Sequence, residues 1–396
     1  MPKVTNISSK KILNSLGDWT IEVTIELDGK YKGSISIPHG KSAGAFEAHT
    51  VETGQAIKNI DEKIKDQVIG LKGENQEDLD MLLLDLDGTT QKSNLGANAI
   101  LGVSLAAAKA VSVSRNIPFW QYLRELYGAS PDSRASENIK LLMCFVEGGS
   151  HAGNDLDFQE YLVIPKGKNN ADSVMKGARL YKALGKYIEE HLGRRSINVG
   201  DEGGYAPLLE DNQEPFRIIK SVAEKEGLID EIEFGADIAA NNVNIETEEL
   251  FSIYRSVKSE VALAYLEDPF KEDDFDNFNK ILKEFSGSSQ GEGVMITGDD
   301  LTTTNTIRMG IAHKKESINS IIIKPNQIGT LSEMLKAVHM ARAWNWKIIC
   351  SHRGGETNDD FITDIAYAIG ADGLKVGGPA RGERVAKYNR LLEISS

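Results

Sequence analysis

The chain of 396 residues is long enough for two domains or one large barrel with an attachment. Its formal net charge of −14 argues against a nucleic-acid partner, which needs a basic face, yet leaves room for an anionic small molecule at a locally positive or metal-loaded site. Cys144 and Cys350 stand in no zinc-ligand spacing, no apolar run nears the roughly 20 residues of a membrane span, and the opening MPKVTNISSK lacks a signal-peptide segment, so a cytoplasmic protein is expected.

Residues 20–38, TIEVTIELDGKYKGSISIP, alternate apolar and polar around LDGKYKG and predict a β-hairpin. GANAILGVSLAAAKAVSVS (96–114) is small and apolar enough for a packed interior helix. GASPDSRASEN (128–138) reads as a linker, which divides the chain into an N-terminal α+β capping domain (1–135) and a catalytic domain (136–396). Beyond the linker, short apolar strands end in YLVIP, FGADIA, LAYLEDP, VMITGDD, IIIKPN, KIICSHR and GLKVGG. Amphipathic helices separate them. In one, Thr330 and Glu333 form a capping box, and Leu331, Met334, Leu335, Val338 and Ala341 share a face.

Strands alternating with helices predict parallel pairing with right-handed crossovers. From Asp237 through Glu267, Asp299, Lys324 and His352 to Lys375 the steps are 30, 32, 25, 28 and 23 residues. An eight-stranded α/β barrel of about 250 residues averages ~31 per unit, so a TIM-like barrel is favoured over an open sheet.

Each of those residues stands where an apolar run stops, and in a barrel the strand ends share one mouth. Asp237, Glu267 and Asp299 would repel one another there unless a divalent cation lay between them. Oxygen-only ligation suits Mg²⁺. Lys324, directly after Ile321, Ile322 and Ile323, is expected to have its pKa lowered by metal and neighbouring cations, and so to serve as a general base. Glu202, among the glycines of NVGDEGGYAP, is a candidate general acid, and Arg353 and Lys375 are candidate donors to a phosphate. Together they suggest proton abstraction beside a carboxylate, followed by loss of a β-leaving group.

The stretches LDGTTQKSNLGANAILGVSLA, HAGNDLDFQEYLVIP, VGDEGGYAP, YLEDPF, GDDLTTTN, IKPNQIGTLSE, SHRGGETNDDFI and RGERVAKYNRLL run in order from residue 86 to 392, and the chain resembles the enolase family. The resemblance implies an N-terminal α+β domain on an eight-stranded barrel with irregular first strands. It also implies two Mg²⁺ ions per site and reversible dehydration of 2-phosphoglycerate to phosphoenolpyruvate through a metal-stabilised enolate. A lysine or histidine base with Mg²⁺ is the established pattern of that superfamily. Matched by motif, Asp237, Glu267 and Asp299 hold the tighter metal, Lys324 is the base, and Glu202 is the acid with Glu160 beside it. His151, Gln159, His352, Arg353, Gly354 and Lys375 belong to the substrate site, and Ser42 of HGKSAGAFEA reaches the second metal as its loop closes.

Several positions depart from the family. HGKSAG stands for SGASTG, SHRGGE for SHRSGE, and NSLGDWT for DSRGNPT, and the chain ends at LLEISS, before the usual tail. Lys41 is expected to bring a mobile charge to the phosphoryl end of the substrate, beside the hydroxyl that Gly354 lacks, or else to point into solvent. A homodimer or higher homo-oligomer, held by apolar area more than by ion pairs, is expected. The alternatives are the same enolate chemistry on another phospho- or phosphono-carboxylate, or a non-catalytic binding protein; the intact charge cluster weighs against the latter.

Overall fold

Alternation of apolar side chains builds the first layer. In the computed structural model, which describes residues 2–41, 44–128, 138–287 and 293–396, β1 (Val4–Leu13), β2 (Trp19–Leu27) and β3 (Tyr31–Ser36) form an antiparallel sheet. Ile21, Val23, Ile25 and Leu27 of β2 are fully buried, at the period of two that puts them on one face. Asp28 and Gly29 both have positive φ (51° and 65°), the mirror-image turn that matches strand twist. The expected hairpin is therefore β2–β3. β1, with its polar KK and SS pairs, gave no comparable pattern.

The predicted interior helix spans Ala97–Ser114 and lies on this sheet. A side chain at Gly33 would collide with the helix backbone at Ala106 and Ala110, so glycine permits the close approach. The helix is long and apolar enough to cross a membrane by length and composition, but it is 83% buried within the fold.

The second sheet runs through β4 (Lys140–Leu141), β5 (Met143–Glu147), β6 (Glu160–Pro165), β7 (Ile232–Asp237), β8 (Leu263–Glu267), β9 (Met295–Gly298), β10 (Ser320–Ile323), β11 (Lys347–Ser351) and β12 (Gly373–Lys375). Its order is β4-β12-β11-β10-β9-β8-β7-β6-β5. Only Leu142 separates β4 from β5, so one segment pairs with β12 through its first half and with β6 through its second, closing a barrel of eight staves. The boundary expected near residue 135 lies outside the described residues.

Parallel pairing holds from β7 through β12 to β4, but β6 runs antiparallel to both β5 and β7. The link from β5 to β6 carries only a short 3₁₀ turn, Gly149–His151, and a parallel return needs a full crossover. The expectation of uniformly parallel strands is corrected here, in the direction of the irregular first strands that the resemblance implied. It follows that the first residue of β6, Glu160, lies at the mouth, and it pairs with Asp237 and with Glu147.

Ile322 packs inside the barrel with Leu162, Tyr265 and Ile349, while Ile321 and Ile323 face the outer layer of helices. Burial on both faces accounts for the unbroken isoleucine run. Outside, Thr330 caps the helix Leu331–Ala343 by accepting from the Glu333 N–H, and the five predicted face residues are buried.

Candidate active site

Strand geometry delivers the charges. Asp237 ends β7, Glu267 ends β8 and Lys375 ends β12, while Asp299, Lys324 and His352 each directly follow β9, β10 and β11. Lys375 is the hub. Its Nζ donates to Asp237 Oδ2 and Glu267 Oε2, both at 2.7 Å, and lies 2.9 Å from Glu160 Oε2. Burial opposes its charge, but Asp237, Glu160 and Glu267 overcome that and hold the ammonium well above the usual lysine range.

Glu267 is pushed up to about 8, by burial first and then by Asp237. Its Oε2 accepts from the Tyr265 hydroxyl at 2.5 Å, while its buried Oε1 has no hydrogen-bond partner among the described residues. Lys324 is paired with Asp299, whose other oxygen accepts from Gln327 Nε2 at 2.9 Å. Burial lowers the Lys324 pKa and Arg353 adds to that, yet Asp299 and Glu267 outweigh them and the net direction is up. The paired Asp299 carboxylate sets this direction, and the lowering expected beside a metal ion belongs to the loaded site.

Among the described residues, two groups bring three candidate ligand atoms within 4.8 Å of one another: Asp268, Asp299 and Asp300, and Glu160, Glu202 and His352. Asp237 and Glu267 are instead bridged by Lys375, and Asp299 is paired with Lys324. Asp268 was missed in the sequence, although it directly follows Glu267. Its carboxylate accepts from the N–H of Asp299 at 3.0 Å and of Asp300 at 2.6 Å, and so shapes the turn that presents Asp299.

Across the mouth lies a different arrangement. Glu202 faces His151 Nδ1 and His352 Nε2, each at 3.5 Å. Arg384 donates to His352 Nδ1 at 2.6 Å, which leaves the imidazole proton on Nε2, directed at Glu202. Burial, with Arg384 and the lysines, holds His352 well below the usual histidine range despite Glu202. Burial alone would raise Glu202, but His352 and His151 hold it well below the carboxylate range. Glu160 goes the other way. Burial drives it well above that range, Lys375 opposes, and Glu202 adds to the rise. The two buried carboxyls are thus driven in opposite directions and titrate as a pair.

Residues 141–248 and 241–396 match the family described as Enolase, C-terminal TIM barrel domain, and residues 4–123 match Enolase, N-terminal domain. The chain belongs to the enolase family. It is 37% identical to the enolase of Methanopyrus kandleri over 420 residues, covering 100% of this chain and 96% of that protein. Against the enolase of Ehrlichia ruminantium strain Gardel the identity is 38% over 419 residues, with 99% and 96% covered. For Methanocaldococcus jannaschii it is 35% over 414 residues, with 99% and 95% covered.

Two departures from the enolase pattern, Lys41 and Gly354, touch each other. A Cβ at residue 354 would lie 3.1 Å from the Lys41 Cβ, so the missing side chain makes room for the lysine. Lys41 neither projects freely into solvent nor stands as a loose charge. Its Nζ pairs with Asp201 at 2.6 Å and donates to the Ser150 carbonyl. Arg353 is likewise engaged, in a fork to Glu47 at 3.0–3.1 Å and with Asn326 Oδ1 at 2.9 Å. Glu47 was also missed, being one acid in an unremarkable GAFEA. Gln159 donates to Asp237 at 3.2 Å. Ser42, expected at the second metal, lies outside the described residues.

Proposed function

We propose that the protein catalyses reversible dehydration of 2-phosphoglycerate to phosphoenolpyruvate. The observation that carries this reading is the position of base and acid. In a ring of eight staves, β6 and β10 stand four apart, so the Glu160–Glu202 pair faces Lys324 across the mouth. Asp237, Glu267 and Asp299 occupy the three staves between them on one side, and Lys375, His352 and Arg353 flank the other.

The donors on the acidic arc are all oxygens, and Glu267 combines an unpartnered buried oxygen with a carboxyl pushed up to about 8. That set fits a hard divalent cation, read here as Mg²⁺ on Asp237, Glu267 and Asp299, with a second ion implied by family resemblance. When bound, the metal supplies positive charge to the substrate carboxylate as electrons arrive from C2.

Lys324 takes the C2 proton, and it works as a base once Asp299 no longer holds it as an ammonium. The C2 electron pair delocalises into the carboxylate. It then returns to form the C2–C3 double bond as the C3 hydroxyl, protonated by the Glu160–Glu202 pair, leaves as water. His352 Nε2–H and His151 keep Glu202 ionised, so the pair's proton is read as held at Glu160 until the hydroxyl is in place. Arg353, Lys375, His151 and Gln159 are read as substrate contacts.

The protein is further read as a cytoplasmic homodimer with its domain division near residue 135. Buried, unpaired Cys144 and Cys350 support a reducing compartment. Leu13 and Trp19, cross-strand partners that are both 57% exposed, support an apolar contact between subunits. The deciding assay is phosphoenolpyruvate formation from 2-phosphoglycerate at saturating Mg²⁺. Folded protein that forms none sinks the reading and turns attention to other phospho- or phosphono-carboxylates.

A further inference from the structure

Glu147, the last residue of β5, is completely buried and has no part in the reaction as derived. Its surroundings are unusual for an acid. Its two carboxylate oxygens both accept from the Glu202 N–H at 3.1 Å, and Oε1 also accepts from the Gly204 N–H at 2.5 Å. The loop from Gly200 to Gly204 therefore wraps the Glu147 carboxylate. A side chain at Gly200 would collide with that carboxylate, and one at Gly204 would come within 3.1 Å of its Cγ and 2.7 Å of Cys144 Sγ. These two glycines leave the room that the carboxylate fills.

The Glu147 backbone joins the other parts of the same apparatus. Its N–H donates to the Tyr205 carbonyl at 2.8 Å, and its carbonyl accepts from Asn154 Nδ2 at 2.9 Å, on the loop that begins with His151. In the β5–β6 ladder it stands opposite Glu160. One residue thus contacts the strand of Glu160, the loop of Glu202 and the loop after His151.

We propose that Glu147 is a positioning residue for the proton-donating side of the reaction, acting through the main chain of Glu202. It holds the amides of the 200–204 loop so that the Glu202 carboxylate stays beside Glu160, His151 and His352. The inference rests on the proposed dehydration and adds a residue that does not touch substrate. Because Lys324 stands on the opposite side of the barrel, the two half-reactions should separate. Removing the acceptor should slow loss of the hydroxyl and spare removal of the C2 proton.

The experiment compares C2 hydrogen–deuterium exchange in 2-phosphoglycerate with phosphoenolpyruvate formation, in D₂O with Mg²⁺. Glu147→Leu keeps the side chain's bulk and removes both acceptors. It should cut phosphoenolpyruvate formation by roughly ten- to a hundred-fold, the scale of a misplaced catalytic group, while exchange persists. Glu147→Gln should restore most of the loss, since Oε1 alone reaches both amides. If the leucine variant does not fold, Glu147→Asp, which withdraws the carboxylate by one methylene, should show the same split.

Equal loss of exchange and dehydration in a folded variant, or no loss of either, overturns the inference. So does a glutamine variant no better than leucine. Failure of the proposed reaction itself is distinct: the unaltered enzyme would form no phosphoenolpyruvate, and the inference would fall with it.

Discussion

Two arcs of the same barrel mouth keep buried carboxylates in opposite ways. On β7, β8 and β9, Asp237, Glu267 and Asp299 are neutralised by the ammoniums of Lys375 and Lys324. On β5, β6 and the 200–204 loop, Glu147 and Glu202 are held by backbone amides and two histidines, and Lys375 reaches this side only at Glu160. The first arc depends on net charge and responds to whatever cation enters it. The second depends on geometry, because a hydrogen bond weakens steeply with distance and angle whereas charge attraction does not.

The largest expected effect tests whether the arcs carry separate steps. Lys324→Ala should abolish C2 exchange and product formation together, whereas Glu202→Gln should keep exchange and lose dehydration, each by ~10²-fold or more in the affected step. A Glu202→Gln enzyme with normal turnover would remove Glu202 from the mechanism.

Next comes the charge dependence of the first arc. Asp299→Asn removes one formal charge and one hard anionic oxygen, so Mg²⁺ affinity by calorimetry and activity should fall together. Unchanged affinity would mean that these acids do not hold the ion.

The pH dependence sharpens the comparison further. Glu267 has its carboxyl raised from 4.5 to about 8, so the folded protein binds that proton more tightly than the unfolded chain does. Stability from this source is present below about pH 4.5 and is lost as the pH rises toward 8. In a chelator, Glu267→Gln should flatten the fall in Tm between those limits. A variant with the parent's slope would assign the fall to other acids, with Glu147, also raised to about 8, the first to replace.

The smallest effect is at the rim. Lys41 and Asp201 are partly exposed, and pairs of that kind contribute about 0.2–1 kcal/mol. Lys41→Ala should therefore raise KM for 2-phosphoglycerate by less than about five-fold, with kcat little changed. A large loss of kcat would place the lysine in the reaction rather than at its edge.

Much of this site can be read before folding. Asp237, Glu267, Asp299 and Lys324 stand where apolar runs stop, and a chain buried on both faces can place charge only at its ends, so their position at the mouth is written locally. Glu47 carries no such mark, being one acid in a loop of ordinary composition. Glu147 ends the run LLMCFV and Asp268 follows Glu267, yet the use of all three is set by a partner 306, 55 or 31 residues away. Strand direction was also hidden, since alternation shows which face a residue takes but not which way β6 runs. That reversal puts Glu160 at the mouth. The sequence by itself determined which charges exist and that the strand-end ones would meet. Only the tertiary structure decided that Lys324 is paired with Asp299, and that burial and nearby charge drive Glu160 and Glu202 in opposite directions. Ionisation depends on burial and on the nearest opposite charge, and both are properties of the assembled barrel.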